Sequence, residues 1–346
     1  MSAPVPVVAL PYTPEQVEAT LGPNWQETLL EAYRWMALAR ALDARMQGLQ
    51  RQGRVGFYGA ATGNEAVNVA TGLATAQADW VFPGLREQLV ALVRGHPLET
   101  YVHHLFADGR DPARGRNMPC HPSARDVHYV SMSSVIGTQI SQAVGVAFGL
   151  RAKGDPGVAL AFFGDGATSA NDFHAGLNFA GVLQLPVLFC CANNQWAISE
   201  PVERQTASET LAVKAAEYGI PGRRVDGTDF VAVYHELSAA LAEARQGAGP
   251  RMLEFVVYRM TPHSSSDDPS RYQPADWSSR ARAHDPVDRL EEWMVRSGLL
   301  PEEHRQRIRE TAESEVRAAV TAAEETPPPS PETLTEDVYA SPRSPG

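Results

Sequence analysis

The chain has 346 residues, 43% of them hydrophobic, and carries a net charge of −11 at pH 7. This length is enough for a large buried core, but the acidic balance leaves no basic face to displace the counterions of a nucleic acid. Nucleic acid is therefore excluded as the main partner. We also expect no membrane partner and a cytoplasmic location, because no apolar stretch could span a bilayer and residues 1–16 lack a targeting pattern.

Three cysteines occur in the chain, and two of them are adjacent within an apolar run. Neighbouring side chains on a strand point to opposite faces of the sheet, so Cys190 and Cys191 are unsuited to a shared metal site. A disulfide framework would need a different spacing. We expect Cys190 and Cys191 to be core residues, and the three cysteines, with Cys120, fit a reducing compartment.

The N-terminal half begins with a Pro-rich segment, residues 1–24, which we interpret as an extended arm. Helical periodicity follows from residue 25 to about residue 50. After a glycine-bearing loop and a helix of small residues, residues 107–134 are irregular and rich in Arg, His, Gly and Pro. Loops of this length in compact domains are usually functional. The next stretch, TQISQAVGVAFGLRAK, predicts a helix.

The centre of the chain alternates apolar runs with helical stretches. The runs are VALAFF at 158–163, PVLFCC at 186–191 and LEFVVY at 253–258. Between the first two, a helix over 171–184 would place Phe173, Leu177 and Val182 in the core. Continuous apolar strands separated by helices are typical of an α/β fold, with a mostly parallel sheet covered by helices on both faces. We predict one such domain over residues 25–325, and an extended Pro-rich tail over 326–346.

Polar residues follow two of these runs at the point where each strand should end. Gly164-Asp165-Gly166 comes after the first run and Asn193-Asn194-Gln195-Trp196 after the second. In a parallel βαβ unit both carboxyl ends lie at the same edge of the sheet, where open α/β sheets bind ligands. A carboxylate, an amide and a loop carbonyl suit Mg²⁺ that also binds phosphate. The alternative is an ordinary turn and an ordinary loop, but their pairing across one helix favours the cation site.

The residues around this edge closely resemble a known family. Residues 164–199 are similar to the thiamine diphosphate motif in the α subunit of 2-oxo acid dehydrogenases, the decarboxylating component of the pyruvate and branched-chain complexes. Coverage extends over roughly residues 30–340, with the motifs in the expected order. Other segments with counterparts in the family are RQGRVGFYGAATGNEA, GRNMPCHPS, SMSSVIGTQISQAVGVAFGL, YRMTPHSSSDDPSRYQ, HDPVDRLEEWM and EDVYA.

The resemblance implies a thiamine diphosphate-binding fold, with thiamine diphosphate and Mg²⁺ as cofactors. It assigns the metal to Asp165, Asn194 and the Trp196 carbonyl. It assigns the diphosphate to Arg86, Arg259, Gly164, Gly166 and Ala167. Ser134 and Ile136 would contact the aminopyrimidine ring. The catalytic residue would be His263, near the reactive carbon of the cofactor, and the substrate pocket would be lined by Phe57, Met118 and His121.

Each assignment has a purely structural alternative. Arg86 could lie on a solvated helix face, and Arg259 could form a surface ion pair. His263 could be a turn residue, and His121 could bond only to its own loop. The remaining alternatives are core packing for Phe57 and Met118 and a helix cap for Ser134. His103, His104, His128 and His174 match no motif and receive no role.

Four positions depart from the family pattern. Leu85 stands where Tyr is usual beside the phosphate arginine, and Ala192 replaces an often charged residue before the Asn pair. Gln273 stands where Arg is common, and Trp196 replaces a frequent Tyr whose backbone does the coordinating. None of these departures removes the metal site, and Leu85 favours a larger apolar substrate pocket.

The resemblance also implies a partner chain. In this family the glutamate that activates thiamine comes from a separate β subunit, and no second thiamine-binding domain is evident here. We therefore expect an α subunit that is inactive alone, in an assembly of two α and two β chains. It would decarboxylate a 2-oxo acid and pass the acyl group to the lipoyl domain of an acyltransferase component.

Branched-chain 2-oxo acids are the expected substrates. The alternatives are the α subunit of a pyruvate or an acetoin dehydrogenase. A non-enzymatic alternative is a regulatory diphosphate-binding protein that kept the fold. Retention of Arg86, Arg259 and His263 around the metal pair favours the enzyme, since a regulatory relic has little reason to keep them.

Overall fold

The computed structural model describes residues 12–336. Its α-helices are α1 (Pro14–Leu21), α2 (Trp25–Arg51), α3 (Glu65–Ala74), α4 (Gln88–Val93), α5 (Leu98–Phe106), α6 (Thr138–Lys153), α7 (Asn171–Leu183), α8 (Val202–Gln205), α9 (Phe230–Arg245), α10 (Trp277–Ala283), α11 (Pro286–Arg296) and α12 (Glu302–Glu324). Its strands are β1 (Trp80–Phe82), β2 (Ala159–Gly164), β3 (Val187–Asn193), β4 (Trp196–Ala197), β5 (Glu200–Pro201), β6 (Gly222–Asp226) and β7 (Arg251–Val256). Short 3₁₀ turns cover Arg125–Val127, Asp165–Ser169, Ala212–Tyr218, Pro269–Arg271 and Pro331–Thr335.

Five of the strands form one parallel sheet in the order β1-β2-β3-β7-β6. The short strands β4 and β5 pair antiparallel just beyond the end of β3. The α/β fold class is therefore confirmed. The three apolar runs became strands, each shifted by one or two residues from its predicted bounds.

Helices cover both faces of the sheet, and the side chains of each strand alternate between two cores. Leu160 and Phe162 belong to the core under α2, α3, α9 and α12, whereas Phe163 packs with α6 and α7. The adjacent cysteines divide in the same way, Cys190 into the first core and Cys191 into the second. All three cysteines are buried free thiols, which confirms the core positions predicted for Cys190 and Cys191.

Two local predictions are wrong. Val182 is 73% exposed on α7, although Phe173 and Leu177 on the same helix are fully buried. The N-terminal arm is not extended over Pro14–Leu21, because Thr13 and Gln16 form a capping box that starts α1.

The tail prediction is only partly accessible to comparison. Residues 331–335 form a 3₁₀ turn where an extended chain was expected. Residues 1–11 and 337–346, which carry the rest of the predicted arm and tail, lie outside the described residues. Between residues 12 and 336, no helix combines the length and apolarity needed to cross a membrane.

Candidate active site

The carboxyl ends of β2 and β3 bring the two predicted polar turns together. Gly164 is in register with Ala192, so Asp165 starts its 3₁₀ turn beside the loop that begins at Asn194. The backbone N–H of Asn194, which donates to the Ala192 carbonyl at 3.0 Å, also lies close enough to the Asp165 carboxylate to act towards a lower pKa. Burial works in the opposite direction and outweighs it, so the pKa of Asp165, which is only 1% exposed, is raised.

The oxygens of this predicted metal set currently have protein partners. Gln205 Nε2 donates to Asp165 Oδ2 at 2.7 Å, and Arg259 Nη1 donates to the Trp196 carbonyl at 3.2 Å. Asn194 Oδ1 accepts the Trp196 N–H at 3.2 Å. Among residues 12–336 there is no group of three or more His, Cys, Asp or Glu placed to hold a metal. One carboxylate, one amide and one carbonyl still suit a hard cation that takes its other ligands from phosphate and water, provided that Gln205 and Arg259 move aside.

Two buried arginines approach the same edge. Arg86, 6% exposed, donates from Nη2 to the His263 carbonyl at 2.8 Å and from Nη1 to the Ala60 carbonyl. Arg259, 2% exposed, donates from Nη2 to the Ile198 carbonyl and to the Tyr272 hydroxyl, each at 2.7 Å. The Nε atom of Arg259 is buried, and no acceptor for it exists within the described part of the chain.

The charges of the two arginines affect the pKa values of their neighbours in this cluster. Burial lowers the pKa of Arg86 to about 10, with the charge of Arg259 as the next cause. Burial also lowers the pKa of His263 to about 4, and Arg86 and Arg259 lower it further. His263 is therefore neutral at pH 7. Concentrated positive charge with an unused buried N–H donor fits a bound polyanion such as a diphosphate.

The loop that carries His263 is organised by Asp267. Asp267 Oδ2 accepts the His263 N–H at 2.8 Å and the Tyr272 hydroxyl at 2.5 Å. Because Tyr272 also accepts from Arg259, one chain of hydrogen bonds joins His263 to the predicted diphosphate arginine. Gln273, one of the departures from the family pattern, has a buried Nε2 for which the described residues provide no acceptor.

The predicted substrate and aminopyrimidine residues are brought together only in part. The Phe57 and His121 rings lie 6.3 Å apart, and His121 Nε2 hydrogen-bonds to Ser134 Oγ. Met118 is 51% exposed and Ile136 is 63% exposed, so core packing does not account for Met118. The residue after Ile136, Gly137, packs against Ala170 and Asp172 at the start of α7 and so links this region to the Gly-Asp-Gly turn.

Leu85 and Ala192, two of the departures from the family pattern, are both packed against neighbouring residues. A Cβ at Gly59 would lie 3.2 Å from Leu85 Cγ, so Leu85 closes over the same segment that bonds to Arg86. Ala192 is 3% exposed and lies within the core.

Two side chains at the site were missed by the sequence argument. Gln205 contacts Asp165 from 40 residues away, and Lys214 Nζ donates to Thr168 Oγ1 at 3.0 Å on the turn that follows Asp165. Neither residue lies in a periodic pattern or next to a strand end that would have drawn attention to it. Only the tertiary fold brings them to the Gly-Asp-Gly turn.

Comparison with known proteins gives one consistent family. The family model described as "Dehydrogenase E1 component" matches residues 33–332. The chain is 37% identical over 322 residues to 2-oxoisovalerate dehydrogenase subunit alpha 2, mitochondrial, of Arabidopsis thaliana, covering 92% of this chain and 68% of that protein. It is 39% identical to 2-oxoisovalerate dehydrogenase subunit alpha of Pseudomonas aeruginosa, covering 91% and 78%. It is 38% identical to pyruvate dehydrogenase E1 component subunit alpha of Bacillus subtilis, covering 90% and 81%.

Proposed function

Because the chain belongs to the dehydrogenase E1 component family, we propose that it is the α subunit of a 2-oxo acid dehydrogenase. In this role it decarboxylates a 2-oxo acid with thiamine diphosphate and passes the acyl group to a lipoyl domain. The single observation that carries the proposal is the convergence of Arg86, Arg259 and His263 beside Asp165. Arg86 donates to the His263 carbonyl and Arg259 to the Trp196 carbonyl, so two buried guanidinium groups meet where an anion would bind.

The chain's own residues divide into binding and catalytic roles. Arg86 and Arg259 would bind the diphosphate, with the unused Nε of Arg259 as one donor. Thiamine diphosphate, when bound, supplies the carbanion chemistry that decarboxylation requires. His263 is neutral at pH 7, so it can donate a hydrogen bond to an oxygen of the 2-oxo acid without adding a further charge to the site.

Magnesium is proposed as the ion that joins the diphosphate to the protein. Asp165, Asn194 and the Trp196 carbonyl supply only oxygen donors, which Mg²⁺ prefers over softer ligands. Gln205 and Arg259, which now bond to two of these oxygens, would turn towards the phosphate oxygens. Titration of the protein with thiamine diphosphate in the presence of Mg²⁺, of Zn²⁺ and of no metal checks this choice. We expect the tightest binding with Mg²⁺, because these residues offer softer ions no thiolate or imidazole ligand.

A β subunit is proposed as the partner that completes the site, in an assembly of two α and two β chains. An exposed face of α6 and α7 supports a protein partner, because Phe148, Phe179 and Val182 are 47%, 53% and 73% exposed there. Large apolar side chains grouped on a surface usually mark an interface. Mass spectrometry of the intact assembly would establish its stoichiometry. We propose that the complex works in the cytoplasm, where buried free thiols remain reduced.

Branched-chain 2-oxo acids are the proposed substrates, supported by the 2-oxoisovalerate dehydrogenase relatives and by Leu85 in place of a Tyr. Pyruvate is the competing substrate, favoured by the similarity to the Bacillus subtilis pyruvate dehydrogenase subunit.

The experiment expresses the chain with and without its β subunit and follows reduction of an artificial electron acceptor with thiamine diphosphate and Mg²⁺. We expect turnover of 2-oxoisovalerate to exceed that of pyruvate, and the lone chain to be inactive. Higher kcat/KM for pyruvate would overturn the substrate assignment. Activity of the lone chain would overturn the shared site, and cofactor binding without turnover of any 2-oxo acid would favour a regulatory diphosphate-binding protein.

A further inference from the structure

The long loop between α5 and α6 is anchored by two buried His–Asp pairs at the end of α5. His103 Nδ1 lies 2.6 Å from Asp108 Oδ2, and His104 Nδ1 lies 3.2 Å from Asp111 Oδ1. All four residues are at most 4% exposed. The two pairs share the last turn of the helix, but only one of them leads towards the active site.

The direction of the hydrogen bond between His104 and Asp111 follows from the other partners of Asp111. Its carboxylate also accepts the N–H of Ala113 at 2.9 Å and of Gly115 at 2.8 Å. Burial acts to raise the pKa of Asp111, but the hydrogen bonds from His104, Gly115 and Ala113 together outweigh it and lower the pKa. An ionised carboxylate can only accept, so His104 Nδ1 donates and Nε2 of the neutral ring carries no proton.

The unprotonated Nε2 of His104 then has a defined task. It accepts the backbone N–H of His121 at 3.1 Å, from 17 residues further along the chain. The same N–H also faces the Met118 carbonyl at 3.1 Å, so the hydrogen bond is shared. His104 thus holds the tip of the loop against α5 at the residue whose side chain enters the site.

The ring of His121 transmits this direction to Ser134. His121 Nδ1 lies 2.9 Å from the Pro119 carbonyl, which can only accept, so Nδ1 carries the proton of the neutral ring. Nε2 must therefore accept the hydroxyl proton of Ser134, with which it is in hydrogen-bond contact. With its proton committed, Ser134 Oγ can offer only lone pairs to a ligand.

We propose that His104 is a positioning residue that, through His121, fixes Ser134 as a hydrogen-bond acceptor for an N–H group of the bound ligand. The identity of that ligand rests on the proposed function, in which the N–H group is the amino group of the cofactor's aminopyrimidine ring. His104 itself touches neither substrate nor cofactor. Asp111 completes the relay by selecting the tautomer of His104.

Two substitutions of equal polarity separate positioning from simple packing. In His104→Gln the side-chain oxygen can reach the position of Nε2 and accept the His121 N–H, whereas in His104→Asn the amide reaches only the position of Nδ1. Loss of one hydrogen bond is worth about 1 kcal/mol, or roughly fivefold in an equilibrium or rate constant. We expect His104→Asn with the β subunit to lose about fivefold in kcat/KM, and His104→Gln to stay within about twofold of wild type. His103→Asn is the matched control, because His103 lies on the same turn and has no contact with His121.

A double-mutant cycle tests whether His104 acts through Ser134. In the Ser134→Ala background, His104→Asn should cause no further loss of cofactor affinity or kcat/KM, while its effect on Tm should remain. Full additivity of the two substitutions in kcat/KM would overturn the proposal. Equal losses in His104→Gln and His104→Asn would overturn it as well, since only the latter loses the acceptor.

A measurement on the free chain decides the relay independently of any activity. Nitrogen-15 NMR of labelled histidines reports which ring nitrogen carries the proton, and we expect the Nδ1–H form for both His104 and His121. Asp111→Asn should shift His104 towards the Nε2–H form, whereas Asp108→Asn should not. An Nε2–H form of His104 in the wild-type chain would refute the relay. Failure of the complex to turn over any 2-oxo acid would refute the proposed function and leave this result standing.

Discussion

Replacing Asp165 with asparagine should separate cofactor binding from the stability of the free chain. Asp165 is almost fully buried and its pKa is raised, first because burial penalises the charged form. Gln205 Oε1 is a buried acceptor with no partner within the described residues. Rotation of the Gln205 amide would let Oε1 accept from the amide introduced at position 165, in exchange for the hydrogen bond that Nε2 now donates to the Glu200 carbonyl at 3.0 Å. We therefore expect the free energy of unfolding of the cofactor-free variant to lie within about 1 kcal/mol of the wild-type value, or to exceed it.

The effect on cofactor binding should be much larger. Removing one partner of a buried charged contact costs at least about 2 kcal/mol, or roughly 30-fold in affinity. A ligand at 100 times its Kd stabilises the folded chain by about 2.7 kcal/mol. With an unfolding entropy of about 2.1 cal/mol/K per residue, this raises Tm by about 4 °C for a chain of this size. At the same ligand concentration the variant should gain only about 1 °C.

The assay is thermal melting of wild type and Asp165→Asn with and without Mg²⁺ and thiamine diphosphate, supported by calorimetric titration. Equal ligand-induced shifts in Tm of the two proteins would refute the assignment of Asp165 as a metal ligand.

The pH dependence of stability gives a second check. The pKa of Asp165 in the folded chain is raised above the ordinary value of 3.8. The destabilisation of the folded wild type by its buried carboxylate is therefore absent below pH 3.8 and complete above the raised pKa. The free energy of unfolding of the variant relative to wild type should therefore increase as the pH rises above 3.8, until Asp165 is fully ionised in the folded wild type.

Three further changes follow from the same contacts. Burial raises the pKa of Glu87 to about 7, so the free energy of unfolding of the wild type should fall as pH rises from about 4.5 through 7. Glu87→Gln should remove most of this dependence, which urea melts at about pH 4.5 and pH 7 would measure. Gly63→Ala should lower the free energy of unfolding by roughly several kcal/mol, as substitutions that overpack a core do. Gly63 has a φ of +101°, and an added Cβ would lie 2.1 Å from the Tyr258 carbonyl oxygen. Truncation after Glu325 should increase protease cleavage within residues 107–116, because the Gly109 N–H loses its 2.8 Å hydrogen bond to the Pro327 carbonyl; unchanged cleavage would contradict this anchoring role.

The sequence was sufficient for the part of the fold that rests on local patterns. Apolar runs bounded by turn residues located β2, β3 and β7, and the parallel βαβ rule then placed Asp165 beside Asn194. Helix α1 was missed even though Thr13, Pro14 and Gln16 form a recognisable capping signature, because the proline content suggested an extended chain.

Other features could not be read from local patterns. Val182 lies at helical spacing from buried residues and is still exposed, since what covers a helix face depends on the tertiary neighbours. His104 bonds to the His121 backbone from 17 residues away and Gln205 bonds to Asp165 from 40 residues away, with no sequence periodicity that links either to the site. Burial, which sets the pKa of His263 and Arg86, likewise exists only in the folded chain.

Burial shifts the pKa values of an acidic and a basic group at the site, and one ligand could reverse both shifts. The carboxyl of Asp165 has a raised pKa and the guanidinium of Arg86 a lowered one, so burial disfavours the charged form of each. A cation bound to Asp165 and an anion bound to Arg86 would each restore the charged form, and a magnesium diphosphate supplies both at once. Mg²⁺ alone would neutralise Asp165, and the diphosphate alone would neutralise Arg86. In each case the ligand's remaining charge would be left without a partner in the buried site. We therefore expect Mg²⁺ and thiamine diphosphate to bind with strong positive coupling, measurable as a change of more than about tenfold in the Kd of each when the other is present. Independent binding of the two would show that these buried charges belong to separate sites.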